Sequence, residues 1–193
     1  MTSKLKTDVL ETVSGSGTIA LTNQLSGMTS ASVPLLDHTK MPVGSVVQQV
    51  SYRTGAVITS SVLIPFDNTI PQITEGVEGL AVSITPKSAS NTLFIQVLMC
   101  ANTQQNAGWG FTTALFEGTT ANAIASNGTV SQPGYLAPLT INHNVIAGTT
   151  NELTFRARTG GSHTSGITTI NSMEGAKFGG TFASCITITE IKG

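Results

Sequence analysis

Histidine, cysteine and acidic residues are the side chains that bind metals and transfer protons, and this sequence has few of them. It contains 3 histidines, 2 cysteines and 10 acidic residues among 193. His38, His143 and His163 are far apart, and none has a cysteine or a second histidine at a spacing typical of zinc ligands. Glu75 and Glu78 share one predicted loop, where a catalytic pairing of the two carboxylates would be a coincidence. The sequence therefore predicts no catalytic residue, no metal site and no cofactor.

Motifs for nucleophilic catalysis and phosphate binding are also missing. No Gly-x-Ser-x-Gly elbow lies between a predicted strand and a predicted helix. The glycines at 15–17 and 160–161 lack the following helix that a phosphate cradle requires. We predict that the chain is not an enzyme. The remote alternative is a carbohydrate-active enzyme on a jelly roll, which would need two carboxylates about 5–10 Å apart in a groove.

The composition is poor in charge and rich in hydroxyl groups. Charged residues make up 10% of the chain, against about 25% in an ordinary soluble protein, and the formal net charge is −1. Serine and threonine supply about a quarter of the residues. Nothing here attracts nucleic acid or anionic lipid, and no apolar run reaches the roughly 18–20 residues of a membrane span. A chain with so few charges gains little solubility from electrostatic repulsion, so we expect it to function within an assembly.

The beginning of the sequence predicts where the protein is made. It has no apolar segment typical of a secretory signal, so we expect synthesis and assembly in the cytosol. This disfavours a secreted lectin or a cytokine-like sandwich.

An N-terminal arm, residues 1–42, differs from the rest of the chain. It has too few large apolar residues to offset its ordering entropy, and a Gly/Ser break interrupts it at 14–17. A plain disordered terminus is one interpretation. We favour an arm for attachment or oligomerisation because apolar residues recur along it, namely Leu5, Val9, Leu10, Val13, Ile19 and Leu21.

The body, residues 43–193, shows strand periodicity and no helical periodicity. Turn signals separate its apolar runs at spacings near ten residues, which is typical of an all-β, antiparallel β-sandwich with a jelly-roll-like arrangement. Residues 86–91 predict a hairpin loop, and Asn127-Gly128 predicts a turn. The predicted strands cover 46–52, 57–64, 80–85, 93–100, 109–116, 123–126, 138–146, 153–158 and 181–191.

Two pairs of residues in these strands have alternative interpretations. Cys100 and Cys185 could pair if their strands are neighbours, but we expect two free, buried thiols. Arg156 and Arg158 alternate with apolar residues, so we expect them on a solvated face or against a neighbouring subunit.

Two polar, glycine-containing segments are candidates for a binding surface: 102–109 and 160–166. Exposed aromatic rings stack on sugars, which makes Trp109, Tyr52 and Tyr135 worth considering. Trp109 lies between two glycines at the start of a predicted strand, although core packing is the commoner role of large aromatic residues. The candidate receptor-binding residues are Asn102, Gln104, Gln105, Trp109, Ser162 and His163.

Five stretches of sequence are similar to the small fibre-type structural proteins of tailed bacteriophages. They are SKLKTD (3–8), SGSGT (14–18), KMPVGSVVQQV (40–50), LAVSITPKSASN (80–91) and ITITEI (186–191). The resemblance implies a virion protein, made in the host cytoplasm, with an arm held on the particle and a homotrimeric β-sandwich head. Such proteins are usually described as tail fibres or host-recognition proteins, and others decorate the capsid.

The resemblance also implies the partners. They are copies of the chain itself, other virion proteins bound through the arm, and a glycan or protein of the host surface, without nucleic acid or membrane insertion. The long repetitive shaft of typical fibres is missing from this sequence. A capsid decoration or cement protein, or a head fibre, therefore stays open as the alternative to a tail fibre.

Overall fold

The body folds as two stacked antiparallel β-sheets, as a computed structural model describes over residues 37–103, 109–130, 135–173 and 175–193. No α-helix occurs in these residues, which confirms the predicted all-β sandwich. Two short 3-10 helices are present, His38–Lys40 and Phe178–Gly180. The strands are β1 (Val46–Thr54), β2 (Ile58–Ser60), β3 (Val77–Ile84), β4 (Thr92–Thr103), β5 (Gly110–Glu117), β6 (Ala125–Val130), β7 (Ala137–Ile146), β8 (Leu153–Gly161), β9 (Thr168–Ile170) and β10 (Ser184–Ile191).

The six-stranded sheet is built around β4, and the four-stranded sheet has the order β3-β8-β5-β6. β7 pairs with β4 along residues 92–101 and β10 pairs with residues 92–98, so these two strands occupy opposite edges of β4. β9 continues the β10 edge by pairing with residues 101–103. β1 and β2 in turn pair with β10 and β9. β1 and β2 therefore together fill one strand position of the sheet, and β9 and β10 together fill the next.

The order of the strand positions is that of a jelly roll. Counted this way there are eight positions in the described residues, and the first pairs with the last, β1 with β10. The second pairs with the seventh, the third with the sixth, and the fourth with the fifth. A long hairpin that rolls up on itself produces this pairing. The jelly-roll-like arrangement predicted from the sequence is thus confirmed in the strand order.

β4 supplies the centre of the core because it is paired on both edges. Leu93, Ile95, Val97 and Met99 alternate toward the other sheet and are at most 2% exposed. Burial of each such side chain stabilises the fold by about 1.5–3 kcal/mol. They pack in one cluster with the inward side chains of β5 and β8, namely Phe111, Leu115, Phe155 and Ala157.

A second apolar cluster lies on the outer face of the four-stranded sheet. Ala114 and Phe116 of β5 pack there against Ile64, and all three are fully buried. The amide of Ile64 donates to the carbonyl of Gly161 at 3.1 Å, which draws this part of the chain away from the six-stranded sheet. For this reason the strand predicted over 57–64 is shorter in the structure, where β2 ends at residue 60.

Two arginines of β8 fasten the chain that leads into β3. Arg158 donates from Nε to the carbonyl of Glu75 and from Nη2 to that of Gly76, both at 2.8 Å. Arg156 Nη1 lies 3.1 Å from a carboxylate oxygen of Glu78. Arg156 and Arg158 therefore contact other parts of the same chain, and they do not form the solvated face that the sequence analysis considered.

The hairpin predicted around residues 86–91 is wrong. β3 pairs with β8, whereas both edges of β4 are filled by β10 and β7 along residues 92–98. No edge of β4 is free for β3, so the connection 85–91 crosses from one sheet to the other.

The turn predicted at Asn127-Gly128 is also wrong, because both residues lie inside β6 and pair with β5. A Cβ atom on Gly128 would lie 2.8 Å from Cε2 of Phe66, whose ring packs over the strand. A glycine at this position allows the ring to pack closely against the sheet. The chain does not reverse here.

Cys100 and Cys185 are both free thiols, as predicted, and they lie in the neighbouring strands β4 and β10, but Cys185 is half-buried and not buried as expected. Cys100 is buried, and this burial raises the pKa of its thiol. Its thiolate is disfavoured, so Cys100 acts as a small packing residue.

Glu190 is a fully buried carboxylate near the end of β10. Its Oε1 accepts from Asn91 Nδ2 at 2.6 Å and from the amides of Lys87 and Ser88 at 2.8 and 3.4 Å. Its Oε2 accepts from Gln48 Nε2 at 2.5 Å. Burial by itself raises the pKa of Glu190, but these four hydrogen bonds outweigh it, and the pKa is lowered. The ionised carboxylate thus joins β1, β10 and the connection 85–91.

We expect Glu190→Gln to lower the free energy of unfolding at pH 7 by about 1–3 kcal/mol. The NH₂ group of the new side chain would face the NH₂ group of Gln48, and two donors cannot form a hydrogen bond. Since the folded pKa lies below the unfolded value near 4.5, this stabilisation is present above about pH 4.5 and is lost as the pH falls through the folded pKa. Urea unfolding at pH 7 and at about pH 3.5 measures both effects. Glu152→Gln, at an exposed carboxylate, is the control. Equal stability of wild type and Glu190→Gln at pH 7 would contradict this role.

Candidate functional site

The loops of the sandwich lie at two opposite ends. At one, which we call the proximal end, are the first described residues 37–45, the connections 85–91 and 147–152, the turn 118–120 and the C-terminus. At the other, the distal end, are the last residues of β4 and β8 and the first residues of β5 and β7. The two ends therefore expose different sets of side chains.

Lys192 fastens the start of the described chain at the proximal end. Its Nζ donates to the carbonyls of Thr39 and Met41 at 2.8 and 2.5 Å. Its backbone accepts from the amide of Gly44 at 2.8 Å and donates to the carbonyl of Ser45 at 2.9 Å. Residues on both sides of the domain boundary predicted at 42/43 are thus bonded to Lys192, the residue that follows the last strand.

At the distal end, the structure brings together described residues of the two segments that the sequence analysis singled out. The rings of Trp109 and His163 stack with centroids 3.7 Å apart and an interplanar angle of 12°. Beside them, the amide of Gly110 donates to Ser162 Oγ and the amide of Ser162 donates to the carbonyl of Gly110, both at 3.0 Å. The amide of Ser165 donates to His163 Nδ1 at 3.2 Å, which helps to hold the imidazole. The stack is therefore a positioned surface feature.

A cavity of about 140 Å³ lies at the same end. Its described lining comes from residues 101–103 of β4, Phe111, residues 129–130 of β6, Tyr135 and Ala137. Tyr135 is the most exposed of these, at 70%, whereas Phe111 belongs to the core. The cavity thus runs from the apolar core to the surface.

Two polar side chains of this lining are buried without hydrogen-bond partners. Asn102 and Thr103 are each 2% exposed. Within the described part of the chain, neither the amide atoms of Asn102 nor Oγ1 of Thr103 makes a hydrogen bond. A buried polar group without a partner costs about 1–3 kcal/mol, so proteins rarely retain one without a reason.

The predicted binding residues have different surroundings in the structure. Trp109, Ser162 and His163 lie together at the half-buried distal surface. Asn102, expected in a loop, lies in β4 and is buried. Gln104 and Gln105 lie outside the described residues, as do the arm residues Leu5, Val9, Leu10, Val13, Ile19 and Leu21.

Sequence reasoning missed the threonines of this site. Thr103 and Thr129 line the cavity, but nothing distinguishes them from the many other threonines of the chain. Tyr135, which the sequence analysis considered as a stacking ring, lines the cavity and is exposed.

The described residues form neither a cluster of metal-binding side chains nor a membrane-spanning helix. No group of three or more histidine, cysteine or acidic side chains is placed to hold a metal ion there. Among the helices described, none is long and apolar enough to cross a membrane.

No protein-family model matches this sequence, and no curated protein matches it. Among solved structures, the chain is similar to dimeric latent PorU from Porphyromonas gingivalis, with a TM-score of 0.37 and 13% identity over 77% of this chain and 14% of that one. It is similar to VP2 of infectious bursal disease virus in a subviral particle, with a TM-score of 0.35 and 13% identity over 76% of this chain and 38% of that one.

A third similar structure is the enzymatically active domain of tailspike protein 4 from bacteriophage CBA120, with a TM-score of 0.27 and 16% identity. That alignment covers 66% of this chain and 19% of the tailspike chain. The chain thus spans between 14% and 38% of the length of these three proteins. Two of the three are virus proteins, but similarity at this level does not transfer a function to this chain.

We expect His163→Ala to uncover one face of the indole of Trp109, the single tryptophan of the chain. Its fluorescence emission should shift to longer wavelength, and quenching by acrylamide should increase, because water replaces the imidazole ring. His143→Ala, in β7, is the matched control and should leave both readouts unchanged. An unchanged spectrum in His163→Ala would mean that the two rings do not stack in solution.

Proposed function

We propose that this chain is a structural protein of a tailed-phage virion, a tail fibre or similar appendage that is anchored by its N-terminal arm. The observation that carries the proposal is the polarity of the sandwich. The described chain begins at the proximal end, where it is hydrogen-bonded to Lys192, and the candidate binding residues Trp109, Ser162 and His163 lie together at the distal end. An arm that leaves from the proximal end would direct Trp109 and His163 away from its attachment point.

The sandwich has features that favour self-association, and we propose a homotrimer. β1 and β7 are edge strands of the six-stranded sheet, whose unpaired backbone groups face outward. Large apolar side chains are exposed on them: Val46 is 56%, Tyr52 44% and Ile146 60% exposed. Packing of copies around a cyclic axis would cover such edges, and three copies would turn weak receptor contacts into useful avidity.

We propose host-surface binding, to a glycan or protein, as the role of the distal end. Trp109, His163 and Tyr135 place three aromatic or planar rings at one end of the sandwich, and rings combine apolar faces with hydrogen-bonding edges. The proposal includes no catalytic activity.

A capsid decoration or cement protein is the second candidate, because the same arm could clamp neighbouring capsid subunits. The number of copies in the purified particle separates the two. On the order of tens of copies would favour a tail appendage, and on the order of hundreds a capsid protein.

We expect deletion of residues 1–36 to abolish incorporation into the particle while leaving the sandwich folded. Residues 37–193 contain the whole described core and both side-chain hydrogen bonds of Lys192. Quantitative mass spectrometry of purified particles measures incorporation, and thermal melting of the free protein is the control for folding. Incorporation of the shortened chain at the normal level would refute an attachment role of residues 1–36.

We expect Trp109→Ala to slow adsorption of the phage to host cells by about tenfold, the effect of losing about 1.4 kcal/mol of contact. Adsorption rates of variant and wild-type particles with equal protein content give the measurement. Thr119→Ala, at an exposed residue of the proximal end, should adsorb normally. Adsorption of Trp109→Ala at the wild-type rate would remove this residue from the binding surface.

A further inference from the structure

The six-stranded sheet has a second face, opposite the core. Since the odd-numbered residues 93–99 of β4 point to the core, Phe94, Gln96 and Leu98 point outward. The strand register sets outward residues of β10 and β7 beside them, namely Cys185, Thr187, Thr189, Thr140, Asn142 and Asn144. β1 continues this surface beyond β10. We call the outward side chains of these four strands the outer face.

The outer face is almost without charge. Arg53 of β1 is its single charged side chain, and Nη2 of Arg53 donates to the carbonyl of Thr181 at 2.6 Å. An ordinary solvated surface is about 25–35% charged, so a face of this size would be expected to carry several charges. The outer side of the four-stranded sheet has Glu78, Arg156 and Arg158 close together. Depletion of charge is typical of the centre of a protein–protein interface.

The chemistry of the outer face fits a second copy of itself. Phe94 and Leu98 are half-buried between their neighbours, whereas Gln96, Asn142 and Asn144 are exposed. Amide groups both donate and accept hydrogen bonds, and so do the hydroxyl groups of the threonines beside them. A surface of amides and hydroxyls around two apolar side chains is therefore complementary to its own copy. A strongly charged partner would lose its hydration here and gain almost no opposite charge.

The outer face is also large enough for such a contact. β4 is paired on both sides along residues 92–98. Four strands about 4.8 Å apart, with a rise of about 3.4 Å per residue, span roughly 450 Å² over this length. Two such faces together approach the roughly 1,000 Å² of a specific interface. Val46 and Ile146, which are 56% and 60% exposed at the proximal rim of the face, add apolar area to it.

We propose that the outer face is buried against other copies of this chain, with Phe94, Gln96 and Leu98 at the centre of the contact. This inference rests on the proposed self-association and names the surface that carries it, whereas attachment to the particle through the arm does not depend on it. The N-terminal arm and a different virion protein are the competing occupants of the face.

Sedimentation velocity of the full-length protein over a range of concentrations tests the proposal with Gln96→Lys. Gln96 is exposed, so a lysine fits the single chain, but the contact between copies would then bury ammonium groups without partners. We expect the concentration at which the assembly dissociates to rise by about a hundredfold or more. Thr119→Lys adds the same charge at an exposed residue of the proximal end and should assemble like the wild type.

Two further measurements make the test independent of one substitution. Asn144→Lys, beside Phe94 on the neighbouring strand, should weaken assembly in the same way. Hydroxyl-radical labelling of the wild type needs no variant: Phe94 and Leu98 should become more reactive when dilution dissociates the assembly. Circular dichroism and thermal melting are the controls for folding of the variants.

Wild-type assembly of both folded lysine variants, or unchanged labelling of Phe94 and Leu98 on dissociation, would overturn the inference and leave the proposed homotrimer standing on other surfaces. A monomeric wild type would overturn the inference and the homotrimer together. In that case, loss of Gln96→Lys from purified particles would assign the face to another virion protein. Incorporation of the protein after deletion of residues 1–36 is measured separately, so failure of this inference is distinguishable from failure of the virion role.

Discussion

At the proximal end, one buried carboxylate holds together chain segments that belong to different strands and sheets. Glu190 accepts from β1 through Gln48 and from the connection 85–91 through Asn91 and two backbone amides. That connection carries the chain from the four-stranded to the six-stranded sheet, which is the step that makes the roll possible. Asn91 also accepts from the amides of Gly193, through its side chain, and Ala147, through its carbonyl. Polar contacts therefore join the strands of the jelly roll at its proximal end. The apolar core lies between these contacts and the distal end.

The distal end has the opposite character. There Asn102 and Thr103 are buried without partners in the described chain, and the Trp109–His163 stack lies at the half-buried surface. Satisfied buried networks make a structure rigid, whereas buried polar groups without partners lower its stability. Among the described residues, the satisfied polar network and the unsatisfied polar groups thus lie at opposite ends of the sandwich. This separation supports an account in which one end is fixed to a particle and the other meets the host.

Local patterns in the sequence predicted most of the strands but not their partners. The alternation of β10 placed Ile186, Ile188 and Glu190 on one face, and all three are buried in the structure. The hairpin at 86–91 failed because pairing depends on which edges of β4 are already filled, and this is decided by residues far away in sequence. Likewise, Trp109 and His163 meet only because β5 and β8 pair in a particular register. The cavity could not be predicted from the sequence for the same reason, since its lining comes from four strands and a loop.

Hydroxyl-radical footprinting of the protein in intact particles, compared with the free protein, tests the central claim that the proximal end faces the particle. Met41 and the 76% exposed Val43 report on the proximal end, and Trp109 and Tyr135 report on the distal end. The account predicts that assembly protects Met41 and Val43 from oxidation and leaves Trp109 and Tyr135 as reactive as in the free protein. Protection of Trp109 and Tyr135, with Met41 and Val43 still reactive, would reverse the orientation and contradict the account.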